Sequence, residues 1–251
     1  MTDRTEQHSL RIEPIAYIRT DFAEKFGLPR QSGLVPELTG EIVFTGAYSQ
    51  PDAVRGLSDF SHLWLIFGFH AATKHSKAGW SATVRPPRLG GNTRVGVFAS
   101  RAPYRPNPLG LSCVRLEAVY ASEQPVRLLV SGIDLMDGTP IYDIKPYIPV
   151  ADCHPEASEG YTAQTRTHRL TVQFPAALLE QIPEEKRAAA QGLLAQDIRP
   201  GYADDPSRVY GAVFAGYDIR FTVSGEVLTV TDVIPPEATP RKEHPQNGET
   251  L

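Results

Sequence analysis

The sequence predicts a mainly β protein with an α+β appendage. An antiparallel β-barrel forms the N-terminal domain and a small α+β domain follows it. Three observations point there. Up to about residue 150 the apolar residues fall in strand-length runs bounded by Gly, Pro, Asn and Asp, with few helical periods. The number of those runs suits a closed or partly closed barrel better than a flat sheet. After Asp152 the chain turns polar and acidic, and a helix-length stretch then appears among short strands.

Taken in order, Leu10–Thr20 reads as a strand carrying Ile12, Ile15, Tyr17 and Ile18. A loop, Asp21–Pro36, leads to a second strand, Thr39–Phe44. Pro51–Leu57 reads as a short helix with proline in its first turn. Ser61–His70 is the most apolar stretch and reads as a central strand. Thr73–Gly79 is a basic loop, and Leu89-Gly90-Gly91-Asn92 is a turn signal. Val95–Ala99 reads as a buried strand, because β-branched and aromatic side chains suit a pleat. It runs into Ser100–Gly110, where Pro103, Pro106 and Pro108 fix φ and remove backbone donors, giving a stiff loop that holds Arg101, Arg105 and Asn107. Strands at Ser112–Ala121 and Val126–Asp134 follow, then the turn Asp137-Gly138-Thr139-Pro140 and a strand at Ile141–Tyr147.

Cys153–His168 reads as a linker and Arg169–Phe174 as a strand. Pro175–Gln196 reads as two helices broken at Pro183. Strands at Val209–Phe214, Tyr217–Val223 and Val227–Asp232 complete the second unit, the last two joined as a hairpin around Ser224-Gly225-Glu226. The domains expected are 8–165 for the barrel and 166–234 for the α+β unit, with 235–251 a disordered tail rich in Pro and charge.

The 251 residues, 41% hydrophobic and 22% charged, are ordinary for a soluble globular protein. Cys113 and Cys153 form no CxxC pair, which fits a reducing compartment. No apolar run approaches the roughly 18–20 residues of a membrane span. The N-terminal residues lack an apolar signal core, so the chain reads as cytoplasmic. The net charge of −4 argues against a uniformly basic nucleic-acid binder. Its distribution argues otherwise. Phe60 to Leu116 holds no Asp or Glu, yet carries Lys74, Lys77, Arg85, Arg88, Arg94, Arg101, Arg105 and Arg115. A local field of one sign attracts a polyanion even on an acidic protein.

Several chemistries lack their signature. There is no GxGxxG after a strand, no P-loop, no HExxH and no Cys/His spacing for zinc. Ser112 lies outside any GxSxG elbow, and Cys153-His154 is a lone pair in a polar linker. What recurs is a set of polar loops after apolar strands: Pro29-Arg30-Gln31, His70, Arg85–Asn92, Arg101–Gly110 and Asp137–Ile141. In a barrel these converge at one end. Arginines offer forked donors to phosphate or carboxylate, and Gly90, Gly91 and Gly138 let backbone approach a ligand. The residues point to a small-ligand pocket beside a polyanion surface, and they do not name a reaction.

The stretches PRQSGLV, VRPPRLGGNTRVGVFASRAPYRPNPLG and DLMDGTPIYDIKPYIP resemble the TsaA/TrmO family of tRNA methyltransferases over roughly residues 10–165. Gln196–Tyr202, QDIRPGY, resembles the family's C-terminal QDPRPAY segment, with Ile198 in place of proline. The resemblance implies a β-barrel that binds S-adenosylmethionine without a Rossmann fold. It implies N6-methylation of N6-threonylcarbamoyladenosine at position 37, beside the anticodon of threonine tRNA, by a homodimer with the cofactor site near the subunit contact. It assigns cofactor contacts to Pro29, Arg30, Gln31, His70, Ala71, Arg101, Leu111, Gly138, Thr139, Pro140 and Ile141, with Ala71 and Leu111 acting through backbone. No metal is implied.

Under that reading the methyl donor is already activated, and the protein's task is to place the N6 nitrogen in line with it. A base that takes the N6 proton would help, and Asp137 and Tyr142 are the candidates, neither with a spacing signature. Lys74, Lys77, Arg85, Arg88, Arg94 and Arg105 are the expected tRNA contacts. The competing reading is a non-catalytic RNA-binding module using the basic face 74–115. It gains no support from interleaved exposed aromatics, which single-strand binders use for stacking. A small-molecule hydrolase is disfavoured by the absent metal and nucleophile signatures.

Overall fold

The computed structural model describes residues 10–70, 80–86, 93–165, 168–199 and 205–236. β1 (Ala16–Thr20), β2 (Thr39–Phe44), β3 (His62–Gly68), β6 (Leu109–Tyr120), β7 (Arg127–Ser131) and β8 (Thr139–Pro146) close a barrel in the order β1-β2-β7-β6-β3-β8. Every neighbouring pair is antiparallel. Alternation along each strand sends one face inward. Ile18, Ile42, Leu63, Leu65, Leu128, Val130 and Ile141 are fully buried there. Irregularities at Ile66/Phe67 and Leu116/Ala118 bend two strands where the barrel curves. At the β3–β6 contact a side chain on Gly110 would start 2.2 Å from Phe67 Cζ, so the ring occupies the space that glycine leaves.

β4 (Thr83–Val84) and β5 (Val95–Gly96) form a separate two-stranded ribbon. Here the expected buried strand Val95–Ala99 is corrected. Pairing stops at Gly96, and Val97–Ala99 is a 3-10 turn closed by Ser100 Oγ–H donating to the Val97 carbonyl at 2.8 Å. Val97 is buried, but Phe98 is 73% exposed. The barrel strand begins at Leu109, three residues earlier than the expected start at Ser112. The expected helix at Pro51–Leu57 is a 3-10 turn, Pro51–Val54.

The C-terminal sheet runs β10 (Tyr210–Phe214), β11 (Tyr217–Ser224), β12 (Val227–Ile234) and β9 (Thr171–Gln173), with β9 parallel to β12. Short helices at Ala176–Leu179 and Glu184–Leu194 flank Pro183, as the proline predicted. Glu184 and Glu185 sit in the first turn of the longer helix, where carboxylates favour the dipole. Its Ala189, Ala190, Leu193 and Leu194 are buried in a core continuous with that of the barrel. The loop after β1 makes the junction. Phe22 meets Phe214 at a ring distance of 5.5 Å, and Ala215 N–H donates to the Asp21 carbonyl. Among the described residues no helix is long and apolar enough to cross a membrane.

Candidate functional site

Six strand ends gather at one mouth of the barrel. β1 ends at Thr20, β7 at Ser131 and β3 at Gly68, while β2, β6 and β8 start at Thr39, Leu109 and Thr139. The pairs Thr20↔Gly40, Thr39↔Ser131, Gly68↔Leu109 and Ile18↔Thr139 set them side by side. Among the described residues, the topology opens the loops that carry Pro29–Gln31, His70, Arg101 and Gly138 on this mouth. Pro29–Gln31 lies between β1 and β2, and His70 follows β3. Arg101 precedes β6, Leu111 is in its first turn of chain, and Gly138 leads into β8. An apolar groove lined by Ile15, Phe44, Tyr48, Val54, Leu57 and Ile144 lies at the other end and offers no charged group.

The β1–β2 loop is pinned to the mouth. Gly33 N–H donates to the Gly132 carbonyl at 2.8 Å, and Cys113 N–H donates to Ser32 Oγ at 3.1 Å. Those bonds present Gln31 to Arg101, whose Nη1 donates to Gln31 Oε1 at 2.6 Å. Gln31 Nε2 donates to the Arg30 carbonyl at 2.6 Å. Pro29 is buried and Arg30 half-buried. Arg30 Nη2 reaches the Asp197 carbonyl at 3.5 Å, and its Nη1 is buried with no hydrogen-bond partner among the described residues. A buried donor without an acceptor is costly. Here it stands in the same loop as the Gln31–Arg101 pair, which fits a site built to receive an anionic or acceptor-rich ligand.

The turn before β8 is equally fixed. Asp137 N–H donates to the Phe22 carbonyl and Gly138 N–H to that of Ile18, each at 2.9 Å. Gly138 has φ +71°, the left-handed conformation the turn requires. Thr139 Oγ–H donates to the Met136 carbonyl at 2.8 Å, and Thr139, Pro140 and Ile141 are buried. Asp137 Oδ1 accepts the Thr20 amide at 3.0 Å, so this carboxylate ties off the end of β1. The Tyr142 ring lies against Gly68, where a side chain would start 2.8 Å from Cε2. Leu111 is exposed and His70 half-buried. Ala71, Lys74, Lys77 and Arg88 lie outside the described residues, as do Gly90–Asn92 and Pro200–Tyr202.

Sequence reading missed Asp134. Its Oδ1 accepts the Ser112 hydroxyl at 2.6 Å, in the gap closed by the Ser32 loop. Burial pushes its carboxyl above the ordinary range, while bonds from Ser112, its own amide and the Ser32 amide, and the charge of Arg101, pull the other way. Asp134 thus lies beneath the loop that carries Arg30 and Gln31. Nothing in its local spelling marks it. Only the approach of β6 to the 132–134 segment does. Its folded form takes up a proton at higher pH than the unfolded chain, so its contribution to stability is fullest below about pH 4 and is lost as pH rises through the folded value. Asp134→Asn removes that component. The wild type's stability relative to the variant therefore falls between acid and neutral pH in a series of thermal midpoints.

On the basic side, Arg85 and Arg94 are exposed, and Arg94 Nη1 donates to Thr83 Oγ1. Arg105 is used within the loop. Its Nη1 donates to the carbonyls of Val97 at 3.1 Å and Ser100 at 2.6 Å, so it braces the chain rather than standing free for phosphate. The expectation that this stretch lacks exposed aromatics is overturned: Trp80, Phe98 and Tyr104 are all exposed. Among the described residues no three His, Cys, Asp or Glu side chains gather as a metal site.

Behind Arg30 lies the segment Gln196–Arg199, which follows the Glu184–Leu194 helix. Asp197 has φ +51° and a side chain only 1% exposed. It takes two bonds from Arg199, at 2.7 and 2.8 Å, and one from His168 at 2.8 Å. Burial works to raise its carboxyl, but the bonds and charges of Arg199 and His168 outweigh it and hold the carboxyl below its ordinary range.

Residues 17–153 match the family model of the tRNA-methyltransferase O N-terminal domain, and residues 167–236 match that of the TrmO C-terminal domain. The chain belongs to the TrmO family. It is 43% identical over 224 residues to the tRNA (adenine(37)-N6)-methyltransferase of Escherichia coli K12, covering 86% of this chain and 94% of that one. It is 41% identical over 218 residues to a putative S-adenosylmethionine-dependent methyltransferase, RcsF, of Pseudomonas aeruginosa, covering 84% and 91%. The crystal structure of TrmO from P. aeruginosa superposes with a TM-score of 0.74 at 35% identity, over 92% of this chain and 99% of that one. The TrmO likeness thus spans both the barrel and the C-terminal sheet.

Proposed function

We propose that this protein is a tRNA methyltransferase of the cytoplasm that uses S-adenosylmethionine to methylate N6 of N6-threonylcarbamoyladenosine at position 37 of threonine tRNA. The observation that carries the reading is the Gln31–Arg101 pair at the mouth of a TrmO-family barrel, with Arg30 next to Gln31 in the chain. S-adenosylmethionine supplies a methyl group already activated on a sulfonium. The chain has then to orient and to exclude water. Arg30 and Arg101 offer forked donors to the carboxylate of the cofactor. Gln31, Pro29 and the Gly138–Ile141 turn shape the wall, and His70 and Leu111 complete it, Leu111 through its backbone; the family likeness adds Ala71 to these contacts. Transfer of that methyl group to N6 would release the N6 proton, which a base of this chain or a water would take. The tie between Asp137 and Thr20 favours a role for Asp137 in holding the turn, and Tyr142 is the candidate with its hydroxyl near the mouth.

The division of labour we propose gives the barrel, 8–165, the cofactor and the chemistry. Residues 166–234 buttress Arg30 through Asp197. The active form is a homodimer. Lys74, Lys77, Arg85, Arg88 and Arg94 hold the phosphates of the anticodon stem-loop. Binding of tRNA is therefore expected to fall steeply with salt, log Kd rising nearly linearly with log salt at a slope set by the phosphates contacted. A salt-independent affinity contradicts this surface. Calorimetric titration with S-adenosylmethionine tests the cofactor reading: saturable binding is expected, and absence of binding both with and without tRNA overturns it. The exposed aromatics also suit a non-catalytic RNA-binding module. That reading leaves the Gln31–Arg101 pair and the fixed turn at Gly138 without a ligand.

A further inference from the structure

We propose that Trp80, Phe98 and Tyr104 form a stacking ledge for unpaired bases of the anticodon loop, next to the adenine that enters the barrel mouth. The proposal rests on the tRNA methyltransferase reading and adds to it the surface that reads the single strand.

The three rings belong to one braced body. Ser81 N–H donates to the Tyr104 carbonyl at 3.2 Å, and Val97 N–H to that of Ala82 at 2.9 Å. β4 pairs with β5 just beyond the Ala82–Val97 contact. Arg105 ties Val97 and Ser100 together, and its guanidinium lies 5.7 Å from the Phe98 ring centroid. Pro103, Pro106 and Pro108 stiffen the outer side. On this frame Phe98 is 73% exposed, Trp80 52% and Tyr104 43%. Large aromatic surface held rigidly in water gains free energy when a partner covers it.

The surroundings select the partner. Along the chain the rings are interspersed with the exposed residues Arg85, Arg94 and Arg101, and no Asp or Glu occurs between Phe60 and Leu116. Cations for the backbone interleaved with aromatic faces for the bases are the arrangement that binds a single strand. A second copy of the chain fits less well. A two-fold contact through this patch sets its arginines against the same arginines, and the patch itself supplies no acid. The ledge also runs into the pocket: Arg101 follows the Phe98 turn directly and bonds Gln31. A strand with one base in the mouth therefore lays its neighbours on these rings.

The test is binding of an anticodon stem-loop RNA, by anisotropy, to wild type and to Phe98→Ala, Tyr104→Ala and Phe98→Tyr. Each alanine variant is expected to raise Kd roughly 5- to 150-fold. Phe98→Tyr is expected to retain affinity. Thermal midpoint, affinity for S-adenosylmethionine and the salt slope are expected to stay near wild-type values, because the Arg105 bonds to Val97 and Ser100 hold the frame without the Phe98 ring and no phosphate contact is removed. A hairpin with the same stem and a minimal loop is expected to bind wild type and variants alike. Wild-type affinity of both alanine variants for the stem-loop overturns the ledge. So does an alanine variant that shifts the sedimenting species from dimer to monomer at unchanged RNA affinity, which assigns the patch to a second copy. Failure of the wild type to bind S-adenosylmethionine falls on the methyltransferase reading instead, and is scored separately from the RNA arms.

Discussion

Arg101→Ala is expected to weaken S-adenosylmethionine binding about 10- to 100-fold by calorimetry, with little change in the thermal midpoint. The guanidinium is exposed and donates to Gln31 at 2.6 Å, so its removal leaves no buried group orphaned. The lost interactions are charge-assisted, worth about 1.5–3 kcal/mol each. Arg101→Lys restores the charge but not the fork that meets both Gln31 and a ligand carboxylate, so it recovers only part of the affinity. Full cofactor affinity in Arg101→Ala contradicts the placement of the cofactor beside Gln31.

Asp197→Ala is expected to produce the largest loss of stability, about 3–5 kcal/mol, or on the order of 10 °C in thermal midpoint. It leaves the Arg199 guanidinium, whose side chain is 8% exposed, without its two-bond partner. It also puts a Cβ-branching-free but still unfavoured residue at φ +51°, where aspartate is better tolerated. Asp197→Asn keeps that backbone preference and part of the hydrogen bonding, so it costs less. The sign with pH follows from the lowered carboxyl. The contribution of Asp197 is present above about pH 4 and is lost as pH falls through its folded value. The gap between wild type and Asp197→Ala therefore narrows in acid. Equilibrium unfolding in urea at neutral and acid pH measures it. Because Arg30 leans on the Asp197 carbonyl, the variant's cofactor affinity is also expected to fall.

Much of this was legible in the chain. Thr39–Phe44 spells its strand to the residue, because alternation with glycine and threonine at the start leaves only one register. The break at Pro183 and the hairpin around Gly225 follow from single residues. The loops carrying Pro29–Gln31, His70, Arg101 and Gly138 share one mouth because the ends of neighbouring antiparallel strands meet there. Other features could not be read locally. Val97–Ala99 has the composition of a strand, but the ladder ends at Gly96 and a 3-10 turn wins, leaving Phe98 in solvent. Apolarity alone does not reveal whether a ring packs inward, so the exposed Trp80, Phe98 and Tyr104 were passed over. Asp134 and the Asp197–Arg199–His168 cluster draw their properties from segments distant in sequence. Their roles appear only once β6 lies against 132–134 and His168 lies against Asp197.

The most direct measurement is nucleoside mass spectrometry of threonine tRNA carrying N6-threonylcarbamoyladenosine, incubated with this protein and methyl-labelled S-adenosylmethionine. Transfer of one labelled methyl group to the N6 position of the modified adenosine beside the anticodon is the predicted result. An unlabelled nucleoside pool, or label on any other nucleoside, contradicts it.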